Sequence, residues 1–380
     1  MRILVCSVGF NTRKNYAIDV FQFDQARALR DLGHDVRVVT LDLRSFRRVR
    51  RLRAACFEKE GIRAFTVNAF CGRVPGAIIN PIGKACARKA FKMACRDGWR
   101  PDVMHAHFTD MAYFFCDVAK KNGVPYVVTE HSSMIHGETP RDVAAQARYA
   151  YARADALIAV GASLATAMQK KFGVTPVVIP NIVDLGVFAA QPLPEKKGEG
   201  AVFVSAAHLG SGKGMDVLLQ AFAALDRPDA TLCIMGDGTE AEALKKQAGE
   251  LGVCDRVRFT GRYTREEFAK ALSDADCFVL ASRGETFGVV YVEAMAAGVP
   301  VIATRCGGPE GFVTPENGVL VDVDDARALT CAMRDICDGK AHYAPQTVRD
   351  FAVEHFSPPK VAKRLDSVYQ TIIKKGSVDR

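Results

Sequence analysis

Short apolar runs alternate with longer segments of helical periodicity along the whole chain, the pattern of parallel sheets covered by helices. In the first half, strands are predicted at Arg2–Ser7, Asp35–Thr40, Ala64–Val67, Val103–Ala106, Tyr126–Thr129, Ala156–Ala159 and Val177–Ile179. Helices fall between them, the clearest being Phe21–Leu32, which runs into Gly33 as a C-terminal stop signal. The pattern restarts at Ala201–Ala206 and continues through Thr231–Met235, Val257–Thr260, Cys277–Leu280, Val299–Ala303 and Gly318–Val321. Pro180–Gly200 breaks both periodicities with Pro180, Pro192, Pro194, Gly198, Gly200 and two lysines, and is read as the interdomain linker. The segment His342–Lys375 reads as helical pieces interrupted at Pro358-Pro359.

The fold class expected is therefore α/β, with two Rossmann-like domains whose parallel sheets face one another across a cleft. The boundaries read are 1–180 for the N-terminal domain and 181–352 for the C-terminal one, with a helix at about 355–375 free to pack back on the first. A length of 380 residues agrees, since one hydrophobic core rarely serves so long a chain. Open parallel sheets bind ligands at the carboxyl ends of their strands, so such a cleft suits an enzyme that brings two substrates together.

Composition narrows the setting. Twelve cysteines are spread over the chain with no C-x-x-C pair, which points to reduced thiols rather than a disulfide scaffold or zinc ribbon. The first strand begins at once, without a basic leader and apolar stretch, and no apolar run is long enough to span a bilayer. The expectation is a cytoplasmic protein whose membrane contact, if any, is peripheral. Charge is uneven: residues 1–185 hold 28 Lys and Arg against 16 Asp and Glu, while the remainder holds 23 against 27. Two clusters stand out, Arg44 to Arg53 and Lys84 to Arg100. Both fit solvated helix faces or an anionic membrane surface, and without interleaved aromatics or a recognisable DNA or RNA module, nucleic acid is not expected.

Candidate chemistry gathers in the second half. After the strand Ala201–Ala206 comes Gly210-Ser211-Gly212-Lys213-Gly214 and then the helical Met215–Leu225. Glycines there let backbone N–H groups approach an anion, the helix N-terminus adds its dipole, and Lys213 adds a full charge. Such a turn is also ordinary strand-to-helix punctuation. Gly236-Asp237-Gly238 ends the next strand, with Thr239 read as the start of a helix, and Gly261-Arg262-Tyr263 holds the same place one unit later, where Arg262 belongs to a loop on which a base could rest. The most specific stretch is Glu285-Thr286-Phe287-Gly288-Val289-Val290-Tyr291-Val292-Glu293, running into Ala294-Met295-Ala296-Ala297-Gly298-Val299-Pro300. Asp322-Val323-Asp324 superficially fits a metal motif but is better explained by Asp324 capping a helix at Asp325–Cys337.

That E-x7-E stretch, with its internal F-G, resembles the GT-B retaining glycosyltransferases of family 4, also called glycosyl transferases group 1. Lys213-Gly214, Gly236-Asp237-Gly238, Pro180-Asn181-Ile182-Val183-Asp184 and Cys306-Gly307-Gly308-Pro309-Glu310 fall where that family has its corresponding loops. The resemblance is strong over roughly 177–325 and weaker before. It implies transfer of a hexosyl or other sugar, with retention, from a nucleotide-diphosphate donor, UDP-sugar favoured, to a saccharide or lipid-linked acceptor in surface polysaccharide synthesis, without cofactor or metal. It further implies Lys213 on the departing diphosphate, Glu285 orienting the sugar, His131 on the opposite wall, the amides of Phe287, Gly288 and Val289 on sugar and phosphate, and Glu293 on the ribose. Gly236, Gly238 and Arg262 would line the nucleotide, and Gly9 the first loop. Two departures are visible: His208 stands where the family often has arginine, and Gly9-Phe10-Asn11 supplies one glycine where two are common.

The other readings of the same residues are a GT-B sugar-nucleotide epimerase and a sugar-nucleotide-binding protein weakened in catalysis. A nicotinamide dehydrogenase is disfavoured, because no G-x-G-x-x-G follows the first strand with an acid at the appropriate later position. His105, His107, His131 and His136 could be imagined as zinc ligands, but strand-end histidines facing a sugar cleft explain three of them more simply.

Overall fold

The computed structural model describes residues 1–8, 20–43, 54–69, 71, 74–135, 137–195 and 200–378. The chain divides into two compact units: Met1–Ile182 with Pro358–Arg380, and Val183–Ser357.

In the first unit, β1 (Arg2–Val8), β2 (Asp35–Asp42), β3 (Ala55–Lys59), β4 (Ile62–Asn68), β5 (Val103–His107), β6 (Tyr126–Glu130), β7 (Ala156–Ala159) and β8 (Val177–Val178) build one sheet. Its order is β3-β4-β2-β1-β5-β6-β7-β8. All pairings are parallel except β3 with β4. The periodicity gave no sign of β3, because this edge strand is half-exposed on alternate residues and carries one aromatic, Phe57. The helices α1 (Val20–Asp31), α2 (Gly76–Ala94), α3 (Thr109–Asn122), α4 (Arg141–Tyr151) and α5 (Ala162–Phe172) connect the strands.

The second unit starts with a short helix, α6 (Gly186–Ala189). This corrects the linker expected at Pro180–Gly200: Val183, Leu185 and Phe188 are buried, and the Phe188 ring meets Phe268 at 5.7 Å. The segment is tethered by its apolar residues although its prolines break periodicity. The strands β9 (Val202–Ala206), β10 (Thr231–Met235), β11 (Val257–Gly261), β12 (Cys277–Leu280), β13 (Val301–Thr304) and β14 (Gly318–Val321) follow. Their order is β11-β10-β9-β12-β13-β14. Around them lie α7 (Met215–Ala224), α8 (Ala241–Glu250), α9 (Arg265–Leu272), α10 (Val289–Ala296), α11 (Ala326–Cys337) and α12 (Pro345–Phe356).

Two caps differ from the sequence reading. Asp325, not Asp324, caps α11 by accepting from the Ala328 amide at 2.8 Å, and Asp324 takes φ 59° while its carboxylate binds Arg283. Helix α8 starts at Ala241 after Glu240, so Thr239 is not its cap.

The last helix, α13 (Pro358–Val378), belongs to the first unit. Its two prolines start it rather than break it, since the first turn needs no amide donor. Val361, Ala362, Leu365, Tyr369 and Ile372 join a core that includes Ile3, Val5, Phe23 and Leu29. No helix among the described residues is long and apolar enough to cross a membrane.

Candidate functional site

In the second sheet the chain leaves β9 to one side and reaches β12 on the other, so the loops after these strands emerge side by side at the point where strand order reverses. That is where open α/β sheets take ligands. The pairing of Cys277 with Phe203 and Phe278 with Val204 sets the register. It brings together two residues 72 apart in sequence: Lys213 Nζ donates to Glu285 Oε1 at 2.6 Å. The same oxygen accepts from Ser282 Oγ at 2.9 Å. The Glu285 side chain is 12% exposed and Lys213 31%, so the pair is half-sheltered yet reachable.

The loops reach this arrangement through backbone contact. Gly214 has φ 60°, and a Cβ there would overlap the Ala281 carbonyl, so only glycine lets the lysine loop lie on the end of β12. A Cβ at Gly236 or Gly238 would overlap the carbonyls of Ala207 or Leu209. The Gly236 amide donates to the Gly261 carbonyl at 2.8 Å and the Gly238 amide to Asp237 Oδ1 at 2.8 Å. Both glycines of this turn thus serve to bring the loops after β9 and β10 together, with their amides engaged inside the protein. Gly308 lies equally close to Phe287, and the Gly307 amide is held by both Glu310 oxygens at 3.0 and 2.8 Å.

Helix α10 opens at Gly288, φ 93°. Phe287 is buried against Phe312 and Phe356, and Tyr291 under the helix donates to the Leu280 carbonyl at 2.9 Å. Among the described residues, no backbone or side-chain acceptor takes the amide hydrogens of Phe287, Gly288 or Val289. Orphan donors of this kind, with the helix dipole behind them, favour negative charge at that end.

Glu293, on α10, is buried and accepts from Arg265 Nη2 at 3.1 Å. Arg265 also stands 3.9 Å from Asp184. Its position follows from a capping box, Thr264 with Glu267, which makes Arg265 the first residue of α9. Burial first, then Glu293, pushes the neighbouring Tyr263 phenol up to about 12. Arg262 is largely exposed and reaches Asp237 Oδ2 at 3.1 Å, and its hydrogen bond holds that carboxyl below its ordinary value. His208 is exposed.

Sequence reasoning passed over Arg283. Its amide donates to Gly212 O at 2.8 Å, and its guanidinium binds both Asp216 oxygens at 3.0 and 2.7 Å, Asp324 at 2.7 Å, and the Ser211 carbonyl. It staples the lysine loop to the start of α7. The available signal was a charged residue two before Glu285, which no local period singles out.

In the first unit His131 lies just beyond β6, 8% exposed, beside His107 and His105 of β5. His107 and His131 hydrogen-bond to each other, while His105 bonds to Tyr369, Thr129 and the Gln25 amide that also reaches His107, so the rings do not converge on a point. Gly9, His136 and the cluster Arg44 to Arg53 lie outside the described residues.

The family model of glycosyl transferases group 1 matches residues 190–347, and that of glycosyltransferase family 4 matches residues 19–187. Glycogen synthase of Mycobacterium tuberculosis is 31% identical over 263 residues, 66% of this chain and 63% of that protein, so the chain matches less than two thirds of that synthase. Phosphatidyl-myo-inositol mannosyltransferase of Mycolicibacterium smegmatis is 29% identical over 99% of this chain and 95% of its own. Among solved structures, sucrose-phosphate synthase of Thermosynechococcus elongatus superposes with TM-score 0.79 at 20% identity, covering 98% of this chain and 99% of its own. Anabaena HepE in complex with UDP-glucose gives 0.72 at 19%, covering 98% and 100%. These structures share the GT-B fold of two parallel-sheet α/β domains. On the two family models and these relatives, the chain belongs to the glycosyltransferases of group 1, family 4.

Proposed function

We propose that the protein transfers a hexosyl or other sugar from a nucleotide-diphosphate donor, with UDP-sugar favoured, to a saccharide or lipid-linked acceptor in surface polysaccharide synthesis, with retention at the anomeric carbon. The observation that carries the reading is the Lys213–Glu285 pair at 2.6 Å, seated at the strand-order reversal beside the open amides of Phe287, Gly288 and Val289. Departure of a nucleoside diphosphate builds negative charge on its β-phosphate, and a fixed ammonium with convergent N–H donors stabilises that charge without reorganising. Glu285, anchored by Ser282, then accepts from sugar hydroxyls. Glu293 accepts from ribose hydroxyls while Arg265 holds it in place, and Arg262 lies at the loop on which the base rests. The Lys213 charge and the amides take the role a metal ion has in other phosphate chemistry, so the reaction proceeds without one. Retention follows when the acceptor attacks the face the diphosphate leaves, with the leaving phosphate taking the acceptor's proton. The relatives are named as synthases and glycosyltransferases, which favours transfer over epimerisation.

A cytoplasmic protein acting peripherally at the inner membrane face is supported by one surface. Arg88, Lys92 and Arg100 are exposed and line, with Lys121, Phe91 and Phe114, a groove of about 580 Å³ between α2 and α3, in which Lys84 is paired with Asp117 at 2.7 Å. Cations around an apolar floor suit anionic lipid. Co-sedimentation with phosphatidylglycerol vesicles, lost on replacing Arg88 and Lys92 with serine, is the expected result; sedimentation indifferent to that change removes the membrane part.

The donor reading is tested by thermal shift against UDP, GDP and ADP with their common sugars. A ligand of the folded state raises Tm by mass action. Stabilisation by one nucleotide family, followed by NMR of the transferred anomeric centre with a panel of acceptors, identifies base and stereochemistry. A folded protein stabilised by none of them overturns the reading.

A further inference from the structure

We infer that Gln25 is a positioning residue that fixes the tautomer of His131, keeping its proton on Nδ1 so that this ring acts as a donor and not as a base. The inference rests on the reading of His131 as a ligand-facing group, and concerns how the protein sets its polarity.

His105 and His107, two apart on β5, point to the same face, and β6 beside them carries Thr129 opposite His107. All are buried. Tyr369 of α13 lies 2.6 Å from His105 Nδ1, and Thr129 Oγ1 2.7 Å from His105 Nε2. The Gln25 side-chain amide, from α1, bridges His105 Nδ1 at 3.1 Å and His107 Nε2 at 3.3 Å. His107 Nδ1 then meets His131 Nε2 at 2.9 Å. The result is an unbroken chain from the C-terminal helix to His131. Its rings stack at 4.5 and 5.2 Å, and Phe108, at φ 68°, packs on His131 at 4.8 Å.

Burial holds all three imidazoles neutral, His107 being pushed down to about 3. A neutral ring has one donor and one acceptor nitrogen, so choosing either nitrogen of one ring determines the next. A phenol is a stronger donor and weaker acceptor than an aliphatic hydroxyl. Tyr369 therefore donates to His105 Nδ1, and His105 Nε2–H donates to Thr129. With the His105 Nδ1 lone pair taken by Tyr369, a Gln25 carbonyl oxygen at that edge would be repelled, so Gln25 turns its NH₂ group there and donates to His107 Nε2. His107 then carries its proton on Nδ1 and donates it to His131 Nε2. The remaining proton of His131 is then on Nδ1. His131 Nε2 is thereby closed to a substrate proton, and the ring is held as a donor rather than a base.

Two-bond ¹H–¹⁵N spectra of the ¹⁵N-histidine-labelled full chain test this directly, with His131 assigned by difference from His131→Asn. The expected result is a neutral His131 protonated on Nδ1. Gln25→Met keeps the length and removes the amide; it is expected to leave His107 and His131 as tautomer mixtures and to lower kcat about tenfold, one neutral hydrogen bond's worth, with KM for the donor unchanged. Tyr369→Phe is expected to produce the mixture at His105 first. A wild-type His131 protonated on Nε2, or an unchanged tautomer in folded Gln25→Met, overturns the inference. Should Gln25→Met fail to fold, the wild-type spectrum and Tyr369→Phe still decide. The spectra need no turnover, so loss of the glycosyl-transfer reading and loss of this one are told apart.

Discussion

Lys213 and Gly214 are neighbours with opposite duties. The lysine supplies charge, and its partner Glu285 keeps Ser282 when the lysine is lost. Lys213→Ala is therefore expected to fold while lowering kcat about 10²–10³-fold, the usual effect of removing one fixed transition-state donor; single-turnover rates with saturating donor check it. Gly214 supplies shape. Its φ of 60° and its contact with the Ala281 carbonyl leave no room for a methyl group, so Gly214→Ala should cost more than about 1 kcal/mol. Urea unfolding should show that loss together with weakened nucleotide binding, whereas Lys213→Ala should show only the second. Arg283 is intermediate: it touches no expected ligand atom but ties Asp216, Asp324 and the Ser211 carbonyl together, so the lysine loop depends on it.

Among elements, α13 shows best how packing overrides sequence order. It is last in the chain yet covers the first sheet, because Leu365, Tyr369 and Ile372 fall on one face and meet Phe23 and Leu29 of α1. Leu365 is 1% exposed, and Leu365→Ala is expected to destabilise the first unit by about 2–5 kcal/mol. Hydrogen exchange should find the loss in β1, β2 and α1 and leave β9 and β12 unchanged; equal loss in both units would contradict the assignment of α13. The segment after Ile182 was misread for a related reason. Prolines and glycines punctuate local structure, but they do not stop Phe188 from being wholly buried.

At the scale of the whole molecule the two units should differ in acid. His105, His107 and His131 of the first unit are held neutral by burial, with folded pKa values below the ordinary 6.5. Between that value and the folded ones the unfolded chain binds more protons, so stability is complete above about pH 6.5 and is lost as pH falls toward about 3. Asp110 runs the other way. Burial, then Glu130, raises it to about 6, so between roughly pH 4 and 6 its protonation favours the folded state. Three groups outweigh one, and the histidines of the second unit, His208, His342 and His355, are exposed. Acid titration followed by hydrogen exchange should show β5 and β6 losing protection before β9 and β12; simultaneous loss, or the reverse order, would refute this.

The sequence by itself determined the fold class and most strands, because burying parallel strands under helices requires apolar runs and amphipathic segments that are local in the chain. It also marked Lys213, Glu285 and Glu293, whose glycine-rich and apolar surroundings are contiguous. Tertiary structure alone decided what these residues touch. Lys213 meets Glu285 because β9 and β12 are adjacent across the strand-order reversal, Glu293 meets Arg265 from another helix, and Gln25, Tyr369 and three histidines form one chain from four separate segments. Pairing between distant segments depends on strand order and register, and no local period encodes it. For the same reason the half-exposed β3 and the buried Phe188 became visible only once their neighbours were in place.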